Sequence, residues 1–244
     1  MKNEMKCRQA QVSRQFGAIL LYNQRGVGDS KGSKVSMRNA VGQQDAGDVS
    51  HVIEYLHSKM VESTCQGGDD TAIESRKGKS AMKIGVVGYS FGAALASCGL
   101  EHPCVHAMVA ISFPLGLVTR LLGTEKYLEK LCNAPSHVNR LLVIGAQDQY
   151  TNIGKLKVKV VESGGRIFQN FSTSASLQES MLVLDQVVDS MLLPVSSSSS
   201  SSTNTDTNVN VGLQVFESND HFWSSDCALM VEFVIKYLAN VSAE

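Results

Sequence analysis

Three residues of complementary chemistry, Ser90, Asp148 and His221, follow one another in an order that could activate a serine. Ser90 sits in Gly88-Tyr89-Ser90-Phe91-Gly92, a G-x-S-x-G segment between an apolar β-branched run and a small-residue helical pattern. A strand that turns at once into a helix needs a tight corner, which only glycine tolerates two positions before and two after the serine. The serine backbone is strained there, and its hydroxyl projects above the sheet at the positive end of the following helix. A serine hydroxyl is a poor nucleophile at neutral pH and needs a base within hydrogen-bond reach. The histidines are His51, His57, His102, His106, His137 and His221, and only His221 follows Asp148. His221 would take the serine proton and return it to a leaving group. Asp148 would hold the imidazole tautomer and stabilise its charged form, and the Phe91 backbone N–H would supply one oxyanion donor.

Each of these residues has a plainer reading. An aspartate just past a strand often caps a helix, and Asp148 taken alone would be read that way. His221 beside Phe222-Trp223 could be a histidine packed in an aromatic cluster. Gly85, Gly88 and Gly92 loosely resemble a dinucleotide-binding fingerprint, but the spacing fails and Gly85 falls inside the strand pattern. Arg25 and Asp29 read as loop-structuring residues, and Asp45 and Asp48 as partners of a helix start.

The elements that must position the three residues alternate between strand and helix. Arg140–Ala146 is a buried-strand pattern that runs into Gln147-Asp148, and Leu213–Glu217 is another that leads through Ser218-Asn219-Asp220 to His221. Each candidate therefore stands just beyond the C-terminal end of an expected strand, where open α/β sheets bind ligands. Val105–Ser112 is a further strand pattern ending in Phe113-Pro114. Val49, Val52, Ile53, Leu56 and Met60 recur at helical spacing over Asp45–Met60. Helical patterns also cover Leu115–Cys132, Leu177–Leu193 and Cys227–Leu238. In Leu115–Cys132 the apolar residues Leu117, Leu121, Leu122, Tyr127 and Leu131 could line a lid or simply face the sheet. Cys65–Ser80 reads as a polar surface loop, and 157–175 fits no template. Between Asp148 and His221 lies a Ser/Thr/Asn-rich insertion at about 194–212, with serine unbroken over Ser196–Ser202, which cannot bury apolar area and is expected to be a flexible loop.

Residues 17–32 contain Arg25-Gly26-Val27-Gly28-Asp29-Ser30-Lys31-Gly32 after the apolar run Phe16–Tyr22. Together with Gly88–Gly92, Ser112-Phe113-Pro114, Gly145-Ala146-Gln147-Asp148 and Asp220-His221-Phe222, this resembles the α/β-hydrolase superfamily, in its small dienelactone-hydrolase-like and serine-aminopeptidase-like groups. The resemblance spans nearly the whole chain. It implies an α/β fold, a mostly parallel sheet with helices on both faces, and a serine hydrolase acting on an ester, thioester or amide. It also implies strands before residue 17, so the sequence is expected to be N-terminally truncated relative to that family and to lack the loop that lends a second oxyanion donor. A non-catalytic binding or scaffold protein of the same fold is the alternative.

Composition bounds the rest. The 244 residues suffice for a single α/β domain over 1–244, and 43% hydrophobic against 18% charged fits a packed core. A net charge of −1 gives no electrostatic case for nucleic acid. No apolar stretch approaches the roughly 20 residues of a membrane helix, and no secretory signal is visible. The six cysteines lack C-x-x-C spacing and read as free thiols, which with the missing signal points to a cytoplasmic protein with neither metal nor cofactor. The expected partner is a small-molecule or acyl substrate, and the residues leave the oligomeric state open.

Overall fold

The computed structural model describes residues 20–22, 43–65, 82–116, 123–168, 186 and 210–243. Helix α1 (Gln43–Cys65) precedes strand β1 (Ile84–Tyr89), which turns at Ser90 into α2 (Phe91–Ala96) and a single 3-10 turn. Strand β2 (Val105–Ile111), α3 (Glu125–Cys132), β3 (Asn139–Gly145), α4 (Ile153–Glu162), β4 (Arg166–Ile167), β5 (Val211–Phe216) and α5 (Cys227–Ala243) follow. The strands form a parallel sheet in the order β1-β2-β3-β5-β4.

Alternation along the central strands decides which helix lies on which face. Met108 and Ala110 of β2 and Leu142 and Ile144 of β3 join Val49, Ile53, Leu95, Leu128, Leu156 and Val160 from α1 to α4 in one buried cluster. Their neighbours Val109, Ile111, Leu141 and Val143 join Phe216, Trp223, Leu229, Phe233 and Tyr237 on the other face, under α5. Both faces are covered, as strands without polar alternation require. The register aligns the strand ends: Tyr89 lies beside Ile111, Ile111 beside Val143, and Gly145 beside Phe216. Ser90, Asp148 and His221 therefore leave the sheet along one rim.

Elements differ in places from the sequence expectations. Residue 115 does not start a helix; the described helix there is Glu125–Cys132, with Tyr127 and Leu131 buried in the core. Leu117, Leu121 and Leu122, the segment 1–19, the loop segment 66–80 and the helix expected over 177–193 lie outside the described residues, save Gln186, which is helical. So do Arg25, Asp29 and the insertion as far as residue 209; its last two expected residues, Val211 and Gly212, belong to β5. Leu20–Tyr22 carry no regular secondary structure. Residues 153–162, most of which fit no template in the sequence, form α4. Among the described residues, no helix is long and apolar enough to cross a membrane.

Candidate active site

The turn after β1 is built by glycine. A Cβ on Gly88 would lie 2.5 Å from the Ala93 Cα and 2.6 Å from the Gly92 carbonyl oxygen, so no side chain fits. Ser90 has φ 54° and ψ −127°, a strained conformation for a residue with a Cβ. Its N–H donates to the Ile111 carbonyl at 2.9 Å, and its carbonyl accepts from the Ala93 N–H at 2.9 Å, which fixes the corner. The hydroxyl makes no capping bond to α2. It lies 2.9 Å from His221 Nε2.

His221 Nδ1 is 2.8 Å from Asp148 Oδ2. A carboxylate only accepts, so Nδ1 carries the proton and Nε2 is left to accept from the serine hydroxyl. Both Asp148 and His221 are buried, so water is largely kept from their shared bond. The other carboxylate oxygen of Asp148 accepts from the Tyr150 N–H at 2.8 Å, which leaves neither oxygen idle. Asp148 does not cap the helix after it. That cap is Asn152, whose side chain accepts from the Lys155 N–H at 2.9 Å.

Two loops must meet for the acid to reach the imidazole, and a glycine lets them. A Cβ on Gly145 would fall 2.1 Å from the Asn219 carbonyl oxygen. That same oxygen accepts from the Gln147 N–H at 2.9 Å, stitching the acid loop to the histidine loop. The Asn219 side chain in turn exchanges hydrogen bonds with Asp226, at 3.1 Å to its N–H and 3.0 Å to its carboxylate. Asp220 accepts from the Phe222 and Ser224 N–H groups and the Ser224 hydroxyl. The Ser224 bonds, its N–H first, hold the exposed Asp220 carboxyl below its ordinary value.

Aromatic rings line the approach. The Tyr150 ring meets the His221 ring edge-on at 4.7 Å and the Phe222 ring meets it at 5.4 Å, both partly open to solvent. Sequence reasoning missed Tyr150 and Asn219. Tyr150 holds Asp148 through its backbone N–H and Asn219 meets Gln147 through its backbone carbonyl, and neither of these backbone contacts leaves a mark in residue type. Among the described residues, no group of three or more His, Cys, Asp or Glu side chains could hold a metal ion.

A parallel sheet covered on both faces, with a strained serine corner after β1 and an acid and a histidine leaving later strands on the same rim, defines the α/β-hydrolase fold. No protein-family model matches the chain, and no curated protein matches it. Among solved structures it is similar to the Pyrococcus furiosus esterase Pf2001, at 16% identity and a TM-score of 0.48 over 90% of this chain and 67% of that one. It is also similar to an alpha-beta serine hydrolase homologue from Coxiella burnetii, at 16% identity and a TM-score of 0.43 over 89% of this chain and 65% of that one. A second crystal form of the Pyrococcus esterase is covered over only 62% of its length, so the chain spans less than two thirds of two of these structures. At such identity and overlap the likeness decides nothing about activity, and the fold assignment stands on the sheet and its corner.

Proposed function

We propose that the chain is a serine hydrolase that cleaves an ester, thioester or amide through an acyl-enzyme on Ser90. The single observation that carries this reading is the unbroken run from Ser90 Oγ to His221 Nε2 at 2.9 Å and from His221 Nδ1 to Asp148 Oδ2 at 2.8 Å. Ser90 Oγ attacks the substrate carbonyl carbon while its proton passes to Nε2, and the carbonyl π electrons move onto oxygen. That oxyanion would accept from the Phe91 N–H, which as the first helical donor of α2 has no acceptor within its own helix. The tetrahedral species collapses, the bond to the leaving group breaks, and Nε2 returns its proton to that group. Water then attacks the acyl carbon, gives its proton to Nε2, and Ser90 leaves with that proton restored. Asp148 balances the imidazolium at each stage and remains ionised.

The substrate is a small molecule or acyl conjugate, and no cofactor takes part. The test is turnover of short-chain and medium-chain nitrophenyl esters and acyl thioesters by the folded protein. Ser90→Ala and His221→Ala should each lower kcat by about 10³-fold or more. Activity that survives Ser90→Ala refutes the reading. A folded protein that turns over none of these substrates supports instead the use of this fold as a binding module.

A further inference from the structure

The histidine loop is held at a point no triad atom touches. The His221 main-chain carbonyl accepts from the Tyr89 hydroxyl at 2.9 Å and from the Ser112 hydroxyl at 3.3 Å. The Ser112 oxygen in turn accepts from the Trp223 indole N–H at 2.9 Å. A carbonyl has two lone pairs, so this acceptor is saturated, and Ser112 both donates and accepts. The donors come from two strands: Tyr89 is the last residue of β1, next to Ser90, and Ser112 follows the last residue of β2. Ser112 and Trp223 are buried, and Trp223 is wedged edge-on against Phe216 at 5.2 Å.

Backbone strain marks the same cluster. Among the described residues, the non-glycine positions with positive φ are Ser90 at 54°, Ser112 at 51° and Trp223 at 56°. One is the serine of the corner, and the other two are hydrogen-bonded to each other behind the histidine. Such conformations cost about 1–3 kcal/mol each and persist where the surroundings over-determine them. At Ser112 the positive φ turns the chain off β2 while its N–H still donates to the Val143 carbonyl at 2.8 Å. Burial, and then the charges of Asp148 and Asp220, push the Tyr89 phenol up, so it stays a donor throughout the working range of the site.

We infer that Tyr89, Ser112 and Trp223 are positioning residues that clamp the His221 main chain to the ends of β1 and β2, setting the imidazole between Ser90 and Asp148. This role rests on the proposed serine chemistry for its catalytic meaning, while the clamp itself does not. The Tyr89–His221 bond ties the base to the strand that carries the nucleophile, so the two cannot drift independently. A displacement of 1 Å at such a site costs about 10²-fold in rate.

The test uses Tyr89→Phe, Ser112→Gly and the double variant in the whole chain. Glycine at 112 removes the hydroxyl and leaves the buried Trp223 N–H without its acceptor, a cost that relaxing the strained backbone offsets in part, so the variant is expected to fold. Two readouts are taken: ester kcat and KM as functions of pH, and hydrogen exchange of the amides in residues 218–224. Each single variant should lower kcat about 3–10-fold and the double about 10–100-fold, with KM unchanged. Exchange in 218–224 should quicken by at least about tenfold in the double variant while the flanking β5 and α5 stay protected. Unaltered exchange and unaltered kcat in the double variant overturn the clamp. If the unmodified protein shows no Ser90-dependent turnover, the hydrolase reading fails, and the exchange result alone decides the clamp: faster exchange supports it and unchanged exchange refutes it.

Discussion

Replacing Gly145 with alanine should part Asp148 from His221 without touching either. The added Cβ would sit 2.1 Å from the Asn219 carbonyl oxygen, where real Cβ atoms stay beyond 3.0 Å, so the two loops must open by roughly 1 Å. Neither side can yield cheaply. Gly145 is paired to Phe216 in the sheet, and Asn219 is fully buried and bonded to both Gln147 and Asp226. Overpacking of this kind costs about 1–3 kcal/mol, and losing the bond from Gln147 to Asn219 adds about 1 kcal/mol. The sum of about 2–4 kcal/mol lowers Tm by roughly 5–15 °C in a domain of this size. An opening of that size takes the His221–Asp148 contact from 2.8 Å beyond hydrogen-bond range. Ester turnover, measured where both proteins are folded, should fall about 10²-fold. Gly47→Ala is the matched control: it lies within α1, its Cβ meets nothing within 4 Å, and it should stabilise by about 0.5–1 kcal/mol. A Gly145→Ala protein with unchanged Tm and turnover within twofold refutes this account of how the loops meet.

Three further outcomes follow from other parts of the molecule. Arg140 is buried and donates to the carbonyls of Val138, Leu131, Cys132 and Ala134, so it closes the C-terminal end of α3. Arg140→Met should cost about 3 kcal/mol or more by chemical denaturation, since several buried acceptors lose their donor. Burial pushes the thiols of Cys98 and Cys132 up, whereas Cys227 is exposed. Iodoacetamide at pH 7.5 should therefore modify Cys227 well before those two, as read by peptide mass. The Asp220 carboxyl is held below its ordinary 3.8, so its stabilisation of the loop is complete above that pH and is lost as pH falls through the lower folded value. Asp220→Asn should lower Tm at pH 6, and the gap to the parent should close as the solution is acidified below the ordinary value.

Much of the site's skeleton could be read from residue order. Apolar runs such as Arg140–Ala146 that break into polar residues mark where parallel strands end, and the serine corner advertises itself through paired glycines. Helix α4 escaped notice for a physical reason. Lys155, Lys157 and Lys159 alternate with Leu156, Val158 and Val160, a strand-like period of two. The burial follows the helix instead: Leu156 and Val160 face the core, while Val158 and Val161 are more than half exposed. The one local signal was Asn152, three residues before Lys155 and well suited to a cap. The clamp on the His221 carbonyl was illegible because its donors, Tyr89 and Ser112, lie 132 and 109 positions away in sequence. The near-contact of Gly145 with Asn219 was hidden for the same reason, since only the folded register brings those loops together.

The most direct test of the central claim is the mass of the intact protein after exposure to an alkyl fluorophosphonate. Such a reagent phosphonylates a serine oxygen only when a base removes the proton and a donor steadies the displaced charge. The hydroxyl–imidazole–carboxylate run predicts one adduct per chain, mapped to the peptide containing Ser90 and lost in both Ser90→Ala and His221→Ala. A folded protein that gains no mass, or an adduct that persists in Ser90→Ala, contradicts it.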